Sequence, residues 1–329
     1  MDGTQVEKKK SNIEKLFEAN LFLVLPYIIL FLVLAVMGLT LPYFFTYRNL
    51  MNILRQASSL AIMAMGVTIV LITGGMDISI PAIMAFSGIL GSMYIVQGGS
   101  ILLGVLIMLG VATFLGAVNG MAIAYLRMVP FVVTLSMQAI ATGASVWMTR
   151  NISISGLPDN YVNIIAGRTF GIPNSIIYVL IIGFIFWVIM KKAMPGRWLF
   201  SVGTNVRTSK VSGIPGDAVI FFTYVISGFM AGVAAIFITA RLESASPTMG
   251  EEGVVLNVIG AAVIGGASIY GGIGTSLGAI FGAIIMTLIT NGMNMMHISY
   301  HSTLIVKGFV IIFFVAFDSL KRATKAVRI

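Results

Sequence analysis

Two apolar runs, IIYVLIIGFIFWVIM at residues 176–190 and VIFFTYVISGFMAGVAAIFIT at 219–239, enclose the basic segment GRWLFSVGTNVRTSKVSGIPG at 196–216. With their apolar neighbours, both runs reach the roughly 20 residues that a helix needs to cross the hydrocarbon of a bilayer. The enclosed segment lies between two Pro-Gly pairs, which interrupt helices. The pattern predicts two membrane-spanning helices joined by an ordered basic segment.

The whole chain shares this apolar character. Of its 329 residues, 58% are hydrophobic and 9% are charged, whereas soluble domains carry about 25% charged residues. So little charge cannot form a water-soluble surface, and the composition therefore predicts an integral membrane protein. Cysteine is absent, which excludes disulfides and thiolate metal sites.

Apolar runs and the residues that break them predict about ten membrane-spanning helices, and hence an all-α integral membrane protein. The first run is too long for a signal-peptide core and lacks a small-residue cleavage site, so we expect it to be retained. The third and eighth runs are short and glycine-rich, which favours broken or incompletely crossing helices. The predicted spans are 21–41, 50–73, 79–97, 101–126, 130–149, 175–194, 217–241, 254–270, 274–293 and 302–320.

Positive charges orient these spans. With the N-terminus in the cytoplasm, fourteen of the 20 lysines and arginines fall in cytoplasmic segments and four in external loops. Cytoplasmic loops of membrane proteins carry such an excess. We therefore expect cytoplasmic tails at 1–20 and 321–329, a transmembrane domain at 21–320, and the basic segment on the cytoplasmic side. The net charge of +9 is then a topology signal and requires no nucleic-acid partner.

Short matches predict an internal repeat. GVTIVLIT at 66–73 resembles GVAAIFIT at 232–239, and Asn119-Gly120 has a counterpart in Asn291-Gly292. An odd number of spans separates the members of each pair, so they run in opposite directions through the membrane. Inverted repeats are typical of transporters, whose substrate path lies at the repeat interface. The sequence predicts two such repeats, at about 50–150 and 217–320.

The stretch ITGGMDISIPAI at 72–83 places a carboxylate at the cytoplasmic end of the second span. Asp77, Ser79 or both could cap the next helix, with Pro81 in its first turn. Because a carboxylate beside the membrane is energetically costly, the functional alternative is a role in the pathway or its gate. The glycine-rich stretch VIGGASIYGGIGTSLGAIFGA at 263–283 fits close helix packing or a break near the gate.

The gate and pathway candidates are small or polar residues near these motifs and the repeat. They are Gly74, Gly75, Asp77, Ser79, Asn119, Asn257, Gly265, Gly266 and Asn291.

Other chemical motifs are scarce. No Gly-Lys pair occurs, which excludes a phosphate loop and leaves nucleotide chemistry to another polypeptide. The cluster Met293, Met295, Met296, His297 and His301 could hold a soft metal ion. With 21 methionines in the chain, we interpret it as packing material and expect no metal site. No catalytic triad or carboxylate pair is recognisable, so we predict no enzyme activity.

A transporter without buried acids at mid-span is more simply driven by another polypeptide than by protons. Such a transporter needs a mechanical contact on its cytoplasmic face, and the basic segment offers charges together with apolar anchors such as Trp198, Phe200 and Val202. The alternative is a basic loop that only sets topology. The candidates within the segment 196–214 are Gly196, Arg197, Trp198, Phe200, Val202, Gly203, Asn205, Arg207, Lys210 and Gly213.

Four stretches carry a family resemblance. They are GVTIVLITGGMDISIPAIMAFSG at 66–88, VPFVVTLSM at 129–137, GRWLFSVGTNVRTSKVSGI at 196–214 and LNVIGAAVIGGASIYGGIGTSLGAIFGAII at 256–285. In this order they resemble the ribose-type permeases of bacterial carbohydrate ABC importers, the CUT2 class. The resemblance implies a permease subunit for a monosaccharide or similar small polar solute, which works by alternating access in the bacterial inner membrane.

The same resemblance implies partners. These are a second permease subunit, identical or paralogous, two cytoplasmic ABC ATPase domains that hold ATP and magnesium, and a periplasmic or lipid-tethered solute-binding protein. No cofactor is expected in this chain. The segment 196–214 would contain the coupling helix that docks on the ATPase. In the external loop after the seventh span, the acidic residues Glu243, Glu251 and Glu252 would steer the binding protein.

Three positions depart from the family pattern. Pro81 and Thr204 stand where glycine is usual, and Asn257 stands where aspartate is usual, which puts any inherited role at that position in doubt. Within transport, the alternative is a related ABC permease for nucleosides, a furanose-like signal or branched-chain amino acids. A stand-alone channel or facilitator is a further alternative, and in it the segment 196–214 would be idle.

Overall fold

The structure, a computed structural model, describes residues 28, 31, 32 and 34–326. The predicted tail 1–20, most of the predicted first span 21–41 and residues 327–329 lie outside the described residues. Residues 34–40 are helical. The chain from residue 47 onward forms an all-α bundle with four very short strands, which confirms the predicted fold class.

Twelve helices follow one another along this part of the chain. They are α1 Tyr47–Ile72, α2 Ile80–Val96, α3 Ile101–Ala124, α4 Pro130–Thr149, α5 Asp159–Ala166, α6 Asn174–Lys192, α7 Met194–Thr204, α8 Val206–Val211, α9 Gly216–Leu242, α10 Glu252–Ile264, α11 Ser276–Met295 and α12 Tyr300–Ala326. Within the described residues, seven helices (α1, α3, α4, α6, α9, α11 and α12) are long and apolar enough to cross a membrane.

The predicted third and eighth spans are short helices in the structure. The former is α2, with 17 residues, and the latter is α10, with 13 residues. The order long, short, long, long occurs in α1 to α4 and again in α9 to α12. This order agrees with the repeats predicted at 50–150 and 217–320, which remain a prediction.

Helices α1 and α9 form the centre of the bundle and are the most buried of the long helices, together with α11. They pack antiparallel, since Gly66 of α1 lies against Met230, whereas Gly75, in the turn that follows α1, lies against Tyr224, earlier on α9. Helix α3 packs on the other side of α9. A Cβ atom on Gly228 would lie 2.8 Å from the Cα atom of Gly116, so the two backbones touch through small residues.

Short strands connect loops at one end of the bundle. Strand β1 (Ile154–Ser155) pairs antiparallel with β4 (Ser244–Ala245), and β2 (Arg168–Thr169) pairs with β3 (Ile172–Pro173). The first pair joins the loop after α4 to the loop after α9. Both loops lie on the side that the charge distribution predicts to be external.

Helix α5 anchors the same loops to the bundle through Tyr161. The Tyr161 hydroxyl donates a hydrogen bond to the Ile236 carbonyl at 3.1 Å and lies 2.7 Å from the Thr239 hydroxyl. Burial raises the pKa of Tyr161 to about 12, and the contact with Thr239 opposes that rise. The protonated phenol is therefore the form that this position stabilises.

Candidate functional site

The turn between α1 and α2 holds a buried carboxylate. The Asp77 side chain is 2% exposed. Its Oδ1 atom accepts hydrogen bonds from the backbone N–H of Ser79 at 3.0 Å and from the Ser79 hydroxyl at 2.6 Å, and its Oδ2 atom accepts one from the Ser227 hydroxyl at 2.6 Å. Since Ser227 belongs to α9, Asp77 joins the start of α2 to the central helix.

Two further side chains complete this cluster, which we call the Asp77 cluster. The Asn119 amide on α3 donates to the Ser79 hydroxyl at 2.9 Å, and the Tyr224 hydroxyl on α9 donates to the Met76 carbonyl at 3.3 Å. Burial raises the pKa of the Asp77 carboxyl, whereas the hydrogen bonds from Ser227 and Ser79 lower it. The cluster links α2, α3 and α9 at one point.

The hydrogen bonds of this turn distinguish Asp77 from Ser79 as the residue that caps the start of α2. Asp77 accepts the N–H of Ser79. The Ser79 side chain makes no capping hydrogen bond; its hydroxyl donates to Asp77 and accepts from Asn119. Pro81 lies in the first turn of α2, as predicted. Gly74 has a φ of +77°, a left-handed conformation that glycine adopts without steric penalty.

The glycine-rich stretch contains both a helix break and a close packing contact; its place near a gate remains a prediction. Helix α10 ends at Ile264, well before the predicted end of the eighth span at residue 270, and α11 begins only at Ser276. The chain between them is irregular. The backbones of Gly265 and Gly278 are nevertheless in contact, so small residues also let α10 and α11 pack closely. Gly266 has a φ of +87°, which places the break directly after α10.

The basic segment folds into two short helices, α7 and α8, separated by one residue. Asn205 ends α7 and begins α8, and its Oδ1 atom accepts hydrogen bonds from the backbone N–H groups of Arg207 at 2.9 Å and Thr208 at 3.1 Å. Gly213, with a φ of +78°, follows the end of α8. Lys210 forms an exposed ion pair with Asp217 of α9 at 2.9 Å.

One face of α7 packs on the bundle. Leu199 and Val202 are 6% and 1% exposed, and Leu199 packs with Ile69, Ile72 and Met190. The prediction that Val202 anchors a partner is therefore wrong, because this side chain belongs to the protein's own core. Gly196 lies within the first turn of α7, in contact with the end of α6.

The other face is open. Arg197, Arg207 and Lys210 are exposed, and Trp198 and Phe200 are half-buried. The sequence analysis missed Val211, which is 90% exposed at the end of α8. The sequence signal for this exposure was the position of Val211 in the last turn of the basic segment, shortly before the second Pro-Gly pair.

Gly203 brings α7 into contact with the end of α1 and with the turn after α10. Its Cα lies against the Ile72 carbonyl, at the end of α1, and against the backbone nitrogen of Gly272, in the turn after α10. The Gly272 N–H in turn donates to the Ile72 carbonyl at 2.8 Å. Three elements therefore meet at Gly203, and Ile72 is five residues from Asp77.

Two predicted gate residues lie apart from the Asp77 cluster. Asn291 exchanges two hydrogen bonds of 3.0 Å with Asn49, a residue that the sequence analysis missed. Asn49 is at the beginning of α1, and a helix of 26 residues separates its ends by about 39 Å. Asn257 lies on α10, and its buried Oδ1 atom has no hydrogen-bond partner among the described residues.

The predicted acidic cluster falls in the loop that contains β4. Glu243 and Glu251 are exposed at the two ends of this loop, with Pro247–Gly250 forming a 3₁₀ turn between them. The Glu252 side chain lies outside the described part of the chain. The loop is paired with β1, so the two exposed carboxylates lie on a surface shared by two loops.

Comparison with known proteins identifies the family. The family described as the permease component of branched-chain amino acid transport systems matches residues 49–315, from α1 through most of α12. The chain belongs to this family of transport permeases. It is a transport subunit rather than an enzyme, and a multi-pass protein of the bacterial inner membrane.

Individual relatives show more narrowly which class of permease this chain resembles. This permease is 34% identical over 300 residues to the ribose import permease protein of Bacillus subtilis, a match that covers 91% of this chain and 93% of the relative. It is 33% identical to the D-allose transport system permease protein of Escherichia coli, covering 89% and 90%. It is 30% identical to the galactose/methyl galactoside import permease protein of Escherichia coli, covering 91% and 94%. These relatives confirm the CUT2 resemblance. No solved structure matches the chain.

Proposed function

We propose that this permease is the translocation subunit of an ATP-driven importer for a monosaccharide or a similar small polar solute. The observation that carries the proposal is the contact of Gly203 with Ile72 and Gly272. This contact connects an exposed basic segment to the end of α1, directly before the gate candidates Gly74, Gly75 and Asp77. The relatives named for ribose, allose and galactose support a sugar as the solute. They cover about nine-tenths of the chain and favour sugars over the amino acids in the family description.

The exposed face of α7 and α8 is the contact for the ATPase. Arg197 and Arg207 provide positive charge and Val211 an apolar tip, a composition suited to an acidic groove with an apolar floor. ATP hydrolysis takes place on that separate subunit, with its magnesium. Movement of α7 passes through Gly203 to the end of α1 and to the turn after α10. The Asp77 cluster then transmits it to α2, α3 and α9, which gives alternating access.

The other two partners are a solute-binding protein and a second permease subunit. With both termini in the cytoplasm, the loops paired through β1 and β4 face outward and receive a solute-binding protein, with Glu243 and Glu251 steering it. A second permease subunit completes the pathway. Numerous apolar side chains on α4 and α12 are exposed in the single chain, which leaves these helices free to contact lipid or that subunit.

The test is copurification from native membranes in mild detergent, with ATPase activity measured on the eluate. The variant carries Arg197→Glu and Arg207→Glu, and the matched control carries Arg168→Glu at an exposed arginine in an opposite loop. We expect ATPase activity to accompany the wild type and the control but not the variant. Absence of ATPase from the wild type would instead indicate a stand-alone channel. Uptake of ribose, allose and galactose, compared with leucine, then tests the solute class.

A further inference from the structure

Arg55 on α1 and Arg241 on α9 are positively charged side chains without an acidic partner in the described part of the chain. The Nε atoms of both are shielded from solvent and have no hydrogen-bond partner among the described residues. The ion pair described above, between Lys210 and Asp217, involves neither of them. Buried charges in proteins are normally paired with an opposite charge or a bound ion.

The packing of α1 and α9 brings these two arginines together. The helices are antiparallel and in contact where Gly66 lies against Met230. Arg55 precedes Gly66 by eleven residues, and Arg241 follows Met230 by eleven residues. Eleven residues are about three helical turns, so both side chains return to the shared interface at the same level. Like charges brought to one level of a helix interface repel each other.

The helix dipoles do not offset the positive charges of both arginines. Arg241 lies in the last turn of α9, where the helix dipole favours a cation. Arg55, however, is well inside α1, which begins at Tyr47, so no helix end offsets its charge. Two like charges held close together are unfavourable, and both Nε atoms here are shielded from water. A bound anion would neutralise both, and paired guanidinium groups match the geometry of a carboxylate or phosphate.

We propose that Arg55 and Arg241 form a binding site for a small anion that carries a carboxylate or phosphate group. The site lies between α1 and α9, at the end of the bundle where β1 pairs with β4. With both termini in the cytoplasm, as proposed above, the site faces the outside of the cell. Only this detail rests on the proposed orientation. The anion has two possible sources with the same chemistry, the acid group of a sugar acid that is the solute, or a free inorganic anion of the medium.

The binding test uses the purified full-length permease in phosphatidylcholine nanodiscs. D-glucuronate, inorganic phosphate and D-glucose are added separately at constant ionic strength, and the apparent Tm and the Kd are measured. We expect the anions to raise the Tm by about 2 °C at ten times their Kd, and glucose to leave it unchanged. Glucuronate binding about tenfold tighter than phosphate indicates a sugar acid, and equal binding indicates a free anion. No anion effect, or the same effect with glucose, overturns the proposal.

Variants locate the site. Arg55→Gln and Arg241→Gln should abolish the anion-dependent rise in Tm, and the control Arg168→Gln should retain it. Arg55→Glu supplies an internal counter-charge for Arg241, so it should raise the Tm without ligand and remove the response to anions. An Arg55→Glu protein that is less stable than the wild type, or that still responds to anions, contradicts the proposal even if Arg241→Gln fails to fold. None of these measurements requires an ATPase or transport, so their failure would leave the proposed function intact.

Discussion

The Asp77 Oδ2 atom and the Ser227 hydroxyl oxygen are 2.6 Å apart, although the residues are 150 positions apart in the chain. Through this hydrogen bond the irregular turn after α1 is fixed to the central helix α9. The carboxylate is buried, so each of its oxygen atoms depends on protein donors to replace water.

Ser227→Ala should destabilise the permease and impair transport. The substitution leaves one oxygen of a buried carboxylate without its donor, which costs about 2–3 kcal/mol. The measurement is the apparent Tm in detergent, together with uptake in vesicles. Ser136→Ala is the matched control, since the Ser136 hydroxyl is exposed and bonds to its own helix at Val132. Equal effects of the two substitutions would show that the Asp77 contact contributes no stability.

Gly203→Ala should uncouple transport from ATP hydrolysis. The added methyl group would collide with the Ile72 carbonyl and the Gly272 nitrogen, so α7 must move away from α1. We expect uptake to fall more than tenfold, about 1.4 kcal/mol, while the ATPase still copurifies. The control is Gly110→Ala, because nothing lies within 4 Å of a Cβ atom at Gly110. Normal uptake by the Gly203 variant would exclude this contact as the transmission point.

Asn205→Ala should unfold α8 locally. Its side chain caps the two N–H groups that begin this helix of six residues, and loss of such a cap costs about 0.5–2 kcal/mol. We expect faster amide hydrogen exchange at 206–211 and weaker ATPase binding. Asn205→Asp should restore both, since aspartate is an equally good cap. If the aspartate variant behaves like the alanine variant, capping is not the role of this side chain.

Tyr161 should make the stability of the permease depend on pH in the alkaline range. Its pKa is raised from 10.0 to about 12 in the folded state, so the unfolded chain releases the proton first. The stability contributed by Tyr161 is complete below pH 10 and is lost between pH 10 and 12, by about 1.4 kcal/mol per unit. Over this range the Tm of the wild type should fall more steeply than that of Tyr161→Phe. The control is Tyr43→Phe, at a tyrosine that is 78% exposed, and its pH profile should match the wild type.

Helix positions were predictable where composition changes sharply. The span predicted at 130–149 has the bounds of α4, because Pro130 starts it and polar residues follow it. The predicted eighth span was too long by six residues, since the chain after Ile264 remains apolar and only the positive φ of Gly266 and later glycines ends the helix there.

Partnerships between distant residues were not predictable. Asp77 and Asn119 were recognised as unusual polar residues, and they do belong to one cluster. Ser227 looked like a small residue in an apolar helix, and its role depends on the packing of α9 against α1. Asn49 was hidden in the same way, because the pair with Asn291 forms between opposite ends of the sequence. Neither contact follows from local pattern or propensity.

A single residue sets the angle between α7 and α8. Asn205 is at once the C-terminal cap of α7 and the N-terminal cap of α8, so no flexible linker intervenes between them. The two helices therefore move together as one rigid unit. A displacement of α8 is transmitted directly to Gly203, in either direction of the transport cycle.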